Sequence, residues 1–322
     1  MVWRVFNIYI ICNSKQPLYN MSFKIDSQLS ENQIESDVAS YLGYITPFWT
    51  KRFRLISIDE QHTGADKLFN RFLPIYLQFK VSHGLNPNST IILKFQNRPL
   101  ANIISYRATN NLSANPILYF QLRKKAKTAI DFQHNILRQL NTPPFQFALY
   151  VAPLTLRISE YEKLLNVNWF RKIYPLDPFY YKEIEIHDPS IHRNIILGMN
   201  PFLRHHISIP PHMVVTTHNH HYSYSKSGGD LAWHGGQMFN EDFRLSTQLL
   251  RILNYVYNSE RFGFGQEEYI DFIAQFNKNN NLRTINTSNI DDRNYKISTI
   301  REFAQNLKSN FNIKLLLLTQ PK

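Results

Sequence analysis

Cysteine is nearly absent: Cys12 is the only one in 322 residues. A single thiol can form neither an intrachain disulfide nor a cysteine-based zinc cage, and it fits a reducing, cytoplasmic setting. No apolar run approaches the roughly 18 residues that a membrane span needs, so no membrane partner is expected. Near the N-terminus Arg4 precedes an apolar patch, but the patch is short, is broken by Asn7 and lacks a small-residue cleavage site. A signal peptide is therefore not expected. Heptads, internal repeats and an HEXXH motif are missing too. Acidic residues are in short supply: 24 Asp and Glu face 36 Lys and Arg, a net charge of +12. Such an excess points to a polyanionic partner, the competing explanation being lysines and arginines scattered for solubility.

What is present is a globular composition, 43% hydrophobic and 14% aromatic, long enough to bury a sizeable core. Met21 opens a segment, MSFKIDSQLSENQIE, that has the look of a natural start. Residues 1–20 are read as an N-terminal extension, with an edge strand as the alternative. Residues 21–157 are expected to form the core, and 158–322 a C-terminal α+β elaboration that can pack on the same sheet.

The chain is organised around Thr63–Ser82. From Ile75 to Ser82 apolar and polar residues alternate, which predicts a half-buried strand with Tyr76, Gln78, Lys80 and Ser82 on a polar second face. Asp66 lies upstream, and a link around Asn70 and Arg71 is expected to fold its strand back as a hairpin. A carboxylate, an amide and an ammonium then meet on one rigid sheet. The competing explanation is a surface ion pair.

Ahead of this stretch, Ser30-Glu31-Asn32-Gln33 has the form of a capping box, followed by Ile34, Val38, Tyr41 and Leu42 at helical spacing and Gly43 at an expected C-cap. Glu35 lies on that helix at the edge of its apolar stripe. Phe53–Ile58 predicts a strand. Residues 83–116 read as loose, with short strands expected at 91–95 and 102–106. Strand 117–122, a helix over 124–140 and strand 145–151 read as a crossover unit, so the sheet should be mixed with a parallel part. Lys124, Lys125 and Lys127 would crowd the first turn of that helix, against the dipole, which suggests phosphate contact; a solvated face is the alternative. Strands are expected at 205–209 and 212–224. The C-terminal part predicts helices at 158–165, 245–256, 270–276 and 299–307, and a last strand at 313–319 able to return to the main sheet.

Ile34-Glu35, Val38-Ala39 and Leu42-Gly43-Tyr44, with Gly64-Ala65-Asp66 and Gln78-Phe79-Lys80, resemble the opening helix and the D…QxK active-site pair of Mrr-like restriction endonucleases in the PD-(D/E)XK superfamily. The resemblance covers roughly residues 30–155. It implies an α/β, restriction-endonuclease-like mixed sheet flanked by helices. It also implies a DNA endonuclease of restriction or phage-defence type, with DNA as partner and a homodimer left open. Asp66, Gln78 and Glu35 would hold Mg²⁺ or Mn²⁺, and Lys80 would orient water or stabilise phosphoryl charge. Asp59 and Glu60 rival Glu35 as the second carboxylate. A module on the same fold that binds nucleic acid without cleaving it is the alternative.

A second constellation is His218, Asn219, His220 and His221, with Asp230 and His234 near a Ser-Gly turn and His205-His206 earlier. On a strand, His218 and His220 would share a face and, with His234, form an alternative metal site. Structural or substrate-contacting histidines are the competing reading. Gly263-Phe264-Gly265 is too short to signal nucleotide binding.

Overall fold

A computed structural model describes residues 23–45, 54–57, 71–89, 98–112, 114–125, 127, 129–165, 185–188, 193–196, 201–233, 237–239, 241–259, 261–282 and 293–319. In chain order the elements are β1 (Lys24–Ile25), α1 (Glu31–Ile45), β2 (Arg54–Ser57), β3 (Arg71–Phe79), β4 (His83–Leu85), α2 (Arg98–Thr109), β5 (Ile117–Gln121), α3 (Gln133–Gln139), β6 (Phe147–Pro153) and α4 (Ile158–Leu165). There follow β7 (Glu185–Asp188), β8 (Arg193–Ile196), α5 (Pro201–Arg204), β9 (His206–Ile209), β10 (His221–Tyr224), β11 (Leu231–Trp233), β12 (Gln237–Phe239), α6 (Leu245–Asn258), β13 (Phe264–Gly265), α7 (Gln266–Asn279), α8 (Arg293–Phe311) and β14 (Lys314–Thr319). The class is α/β.

The central sheet runs β2-β14-β3-β6-β9, with β13 pairing the start of β3. It is mixed, as expected: β3 and β6 are parallel, whereas β14 is antiparallel to both β2 and β3. The last strand returns to this sheet and lies between β2 and β3; the strand expected to carry Asp66 lies outside the described residues. Arg71, expected in the link, is already the first residue of β3. A second sheet, β1-β4-β5-β10-β11-β12, is antiparallel throughout. β5 belongs to it, not to the sheet of β6. The parallel connection therefore runs from β3 to β6 and carries two strands of the other sheet, β4 and β5, within it.

Two cores lie on opposite faces of β3. Leu73, Ile75, Leu77 and Phe79 pack with Ile34, Val38 and Leu42 of α1, Tyr161 of α4 and Leu249 and Leu253 of α6. Phe72 and Tyr76 join the other core, with Tyr150 of β6, Phe120 of β5, Tyr222 of β10, Trp233 of β11 and Phe303 of α8. The polar face predicted for this strand is thus covered, and Tyr76, Gln78, Lys80 and Ser82 are all buried. Buried polar groups need internal partners, and neighbouring elements supply them for Tyr76, Lys80 and Ser82. The Tyr76 hydroxyl meets Tyr269 at 2.8 Å, and Ser82 bonds to Tyr224 at 2.6 Å. Period-two alternation here marks an internal hydrogen-bonded row between two layers, not a wet surface.

Other expectations also shift. Residues 102–106 lie in α2, where Leu100, Ile103, Ile104 and Arg107 are buried at helical spacing despite the β-branched pair. The strand expected at 91–95 and the extension at 1–20 lie outside the described residues. Gly43 does not end α1, which continues to Ile45. Half of the capping box forms: the Ser30 hydroxyl accepts from the Gln33 amide at 3.1 Å, while the Gln33 side chain turns to Asp37. Gly263 serves sheet pairing. At φ 56° an added Cβ would come within 2.0 Å of the Phe72 carbonyl oxygen, so only glycine lets β13 approach β3.

Candidate functional site

The C-terminal end of β3 delivers Lys80 to a polar seam between α1, α3 and the α8–β14 corner. Its backbone amide bonds to the Val151 carbonyl at 2.9 Å, continuing the parallel ladder and fixing where the side chain starts. Lys80 is 4% exposed. Its Nζ donates to Gln133 Oε1 at 3.1 Å and lies 3.8 Å from Glu31 Oε1. Burial lowers the Lys80 pKa; the Glu31 carboxylate opposes that shift, and the nearby Arg123 guanidinium adds to it.

Each partner is held in turn. Gln133, the first residue of α3, donates through Nε2 to the Phe311 carbonyl at the end of α8. Asn312 adopts φ 53°, a left-handed conformation that asparagine tolerates, and so turns α8 into β14. Its side-chain amide donates to Glu31 Oε2 at 3.1 Å. Glu35, one turn along α1 from Glu31, accepts from Lys308 of α8 and lies 3.8 Å from Lys314 Nζ of β14. The seam thus combines two carboxylates, three ammonium groups and two amides.

Gln78 stands two residues before Lys80 on the same face. It is fully buried, its Nε2 donates to the Phe79 carbonyl at 3.2 Å, and its Oε1 has no hydrogen-bond partner. A buried amide oxygen left unpaired costs about 1–3 kcal/mol. Asp66, Asp59 and Glu60 lie outside the described residues, as does His234. Among the described residues no group of three or more His, Cys, Asp or Glu side chains is placed to hold a metal ion.

Of the residues expected from sequence, Glu35, Gln78 and Lys80 fall at this end of the sheet, but Glu31 is the carboxylate in contact with Lys80. Glu31 reads in the sequence only as part of a helix cap. Its spacing of four from Glu35, which puts the two on one helical face, is the signal that could have found it. Gln133, Lys308, Lys314 and Asn312 carry no motif, and only the fold brings them in.

Lys124, Lys125 and Lys127 are exposed, but not on a helix. They lie between β5 and α3, which starts only at Gln133. The dipole argument for them therefore fails. Arg123, at the head of this segment, is within electrostatic reach of Lys80, so the basic stretch begins at the seam.

The histidine constellation is built differently from the expectation. Only 221–224 of the predicted 212–224 strand forms, leaving His218 and His220 on the loop that precedes it. His220 stacks on Trp233 at 5.0 Å and 5°, and His212 meets the same indole edge-on at 4.7 Å. Asp230 is committed to the buried Arg107 and to the Ser225 amide. His206 is fully buried, its pKa pushed down to about 3 by desolvation, and bonds to the Phe202 carbonyl at 2.8 Å. His134 of α3 is held at about 4, again chiefly by burial.

Among the described residues no helix is long and apolar enough to cross a membrane. Compared with protein-family models, curated proteins and solved structures, the chain matches none.

Proposed function

We propose that the chain is a metal-dependent nuclease that hydrolyses phosphodiester bonds in DNA, built on a restriction-endonuclease-like core. The observation that carries this reading is the buried Lys80 ammonium held between Glu31 and Gln133, with the unpaired Gln78 Oε1 one position back on the same face. An ammonium fixed in a low-dielectric setting needs no reorganisation to stabilise developing charge on phosphoryl oxygens. Gln133 and Glu31 act as positioning residues: they aim Lys80 and keep it protonated.

The residues fit a hard divalent ion in their donor chemistry. Gln78 Oε1 is an oxygen donor in want of a partner, and Glu31 and Glu35 bring carboxylates from α1. Gln78 and Glu31, with Asp66, would hold Mg²⁺ or Mn²⁺. Such an ion supplies a water of lowered pKa and polarises a phosphoryl oxygen. Glu35 is engaged by two lysines, so Glu31 is the α1 carboxylate assigned beside Lys80. Arg123, Lys124, Lys125 and Lys127 leave the seam as an exposed basic stretch suited to a phosphate backbone. Cleavage of duplex DNA by the full chain with Mg²⁺ or Mn²⁺, silent in chelator and lost in Lys80→Ala, tests the reading.

A further inference from the structure

The ends of α3 and α7 enclose a cleft of about 430 Å³, lined by Gln139, Phe272, Gln275, Phe276 and Asn279. Its position follows from how the two helices meet. Asn280, just past α7, donates through Nδ2 to the Phe276 carbonyl and to Gln139 Oε1, each at 2.9 Å, and so ties the two helix ends together. Phe276 is buried, edge-on to Phe303 of α8 at 5.6 Å, which fixes one wall. Phe272 is half-buried, 5.9 Å from Phe276, and stacks on the buried Tyr269 at 5.8 Å and 13°. The aromatic row continues through Phe264, 5.6 Å from Phe272, to Phe145, which is 52% exposed and 6.2 Å from Phe264.

The polar part of the lining is all amide. Gln275 and Asn279 are exposed and one turn apart on α7, and Gln275 Nε2 donates to Asn279 Oδ1 at 2.7 Å. That bond leaves Gln275 Oε1 and Asn279 Nδ2 facing water, an acceptor paired with a donor. Gln139, whose Oε1 accepts from Asn280, keeps its Nε2 as a further donor. None of the five lining residues is charged, so the cleft offers no counter-charge to an ion. An aromatic wall beside an acceptor and a donor suits a flat, uncharged ring with a donor next to an acceptor on one edge. Nucleobases have that form: Asn and Gln amides pair with adenine through its amine and a ring nitrogen, and bases stack on aromatic side chains. A sugar carries hydroxyls around its whole rim, most of which three amides would leave unmet.

We propose that this cleft is a nucleobase site, in which a base stacks against Phe272 while its edge bonds to Gln275 and Asn279, with Gln139 contributing from α3. The base belongs either to a free nucleoside or to an unpaired position in a strand. Only the second source rests on the DNA reading above. In that case α3, which starts at the Gln133 that holds Lys80 and ends at Gln139, joins the cleft to the seam.

Saturation-transfer difference NMR on the full chain in chelator tests the site with adenosine and with a short single-stranded oligodeoxyadenosine. In wild type the adenine H2 and H8 protons receive more transfer than the ribose protons. Gln275→Ala/Asn279→Ala, two exposed positions, weakens adenosine binding about fivefold or more. Phe272→Leu, which keeps apolar bulk without a flat face, weakens it as well, and unchanged melting temperatures show that both variants are folded. Oligomer binding that falls with the double variant places the base in a strand. Adenosine bound while oligomer and duplex are both refused keeps the cleft, assigns it to a free nucleoside and overturns the DNA reading. An oligomer bound equally by wild type and double variant, with adenosine refused, overturns the cleft and leaves the DNA reading standing. Transfer concentrated on the ribose, equal adenosine affinity in the double variant, or binding of neither probe also overturns the cleft.

Discussion

The Lys80 ammonium lies 3.8 Å from the Glu31 carboxylate, a contact between the end of a buried strand and the first turn of the helix packed on it. Burial pulls the Lys80 pKa down and Glu31 opposes that shift. Activity that needs the ammonium is therefore expected to fall off on the alkaline side at a pH below the ordinary lysine value of 10.5. Glu31→Gln removes the opposing charge, so the alkaline limb should move further down. A limb that stays put in Glu31→Gln, measured as kcat/KM against pH, would uncouple the two residues.

The basic stretch should carry DNA affinity through counterion release. Charge reversal of Lys124, Lys125 and Lys127 is expected to weaken binding and to flatten the plot of log K against log salt by about 0.9 for each phosphate no longer neutralised. An equal slope in the variant would return these lysines to plain solvation. Titration of duplex by fluorescence anisotropy at several salt concentrations decides it.

Arg107 is fully buried on α2 and reaches across to Asp230 in the turn between β10 and β11, donating also to the Asp230 carbonyl at 3.1 Å. Asp230→Ala leaves a guanidinium buried without its counter-charge and should cost about 3–5 kcal/mol in urea unfolding. A loss below about 1 kcal/mol would mean that water reaches Arg107 freely.

Buried histidines set the acid limit of the fold. His134 and His206 have folded pKa values of about 4 and about 3, against 6.5 unfolded. In this window the unfolded chain binds more protons, so stability is complete above pH 6.5 and drains as the pH falls. Each imidazole contributes about 1.4 kcal/mol per pH unit to that slope. Urea midpoints from pH 7.5 to 5 should fall steeply, and His134→Gln should flatten the fall. A midpoint independent of pH over this range would show that both rings protonate in place.

Much of the fold is legible because periodicity reports burial. Ile34, Val38 and Leu42 mark α1, Phe147–Val151 marks a strand covered on both faces, and the apolar run 313–319 marks a strand that does join the main sheet. What the sequence hides is what lies opposite a face. Gln78 and Lys80 alternate with apolar residues just as surface groups would, and nothing local says that a second sheet covers them. The 212–220 segment has β-branched and aromatic-like composition, yet its histidines pack on Trp233 and its backbone is spent on α3. For the site, Gln78 and Lys80 can be named from spacing and Glu35 only through the family resemblance, whereas Gln133, Lys308, Lys314 and Asn312 arrive from 53 or more residues beyond Lys80.

The most direct measurement is conversion of supercoiled plasmid by purified full-length protein with Mg²⁺ or Mn²⁺. Wild type should nick or linearise the DNA and be silent in chelator, because water and phosphate are then no longer activated. Lys80→Ala should lose about 100-fold or more in rate while keeping its DNA affinity, since the ammonium acts on the transition state and the basic stretch carries binding. Asp66→Asn should lose cleavage as well, and His218→Ala with His220→Ala should leave the metal requirement intact. Cleavage at wild-type rates in both Lys80→Ala and Asp66→Asn would contradict the account. So would a wild-type protein that binds duplex tightly yet never cuts it with either metal, the behaviour of a binding module.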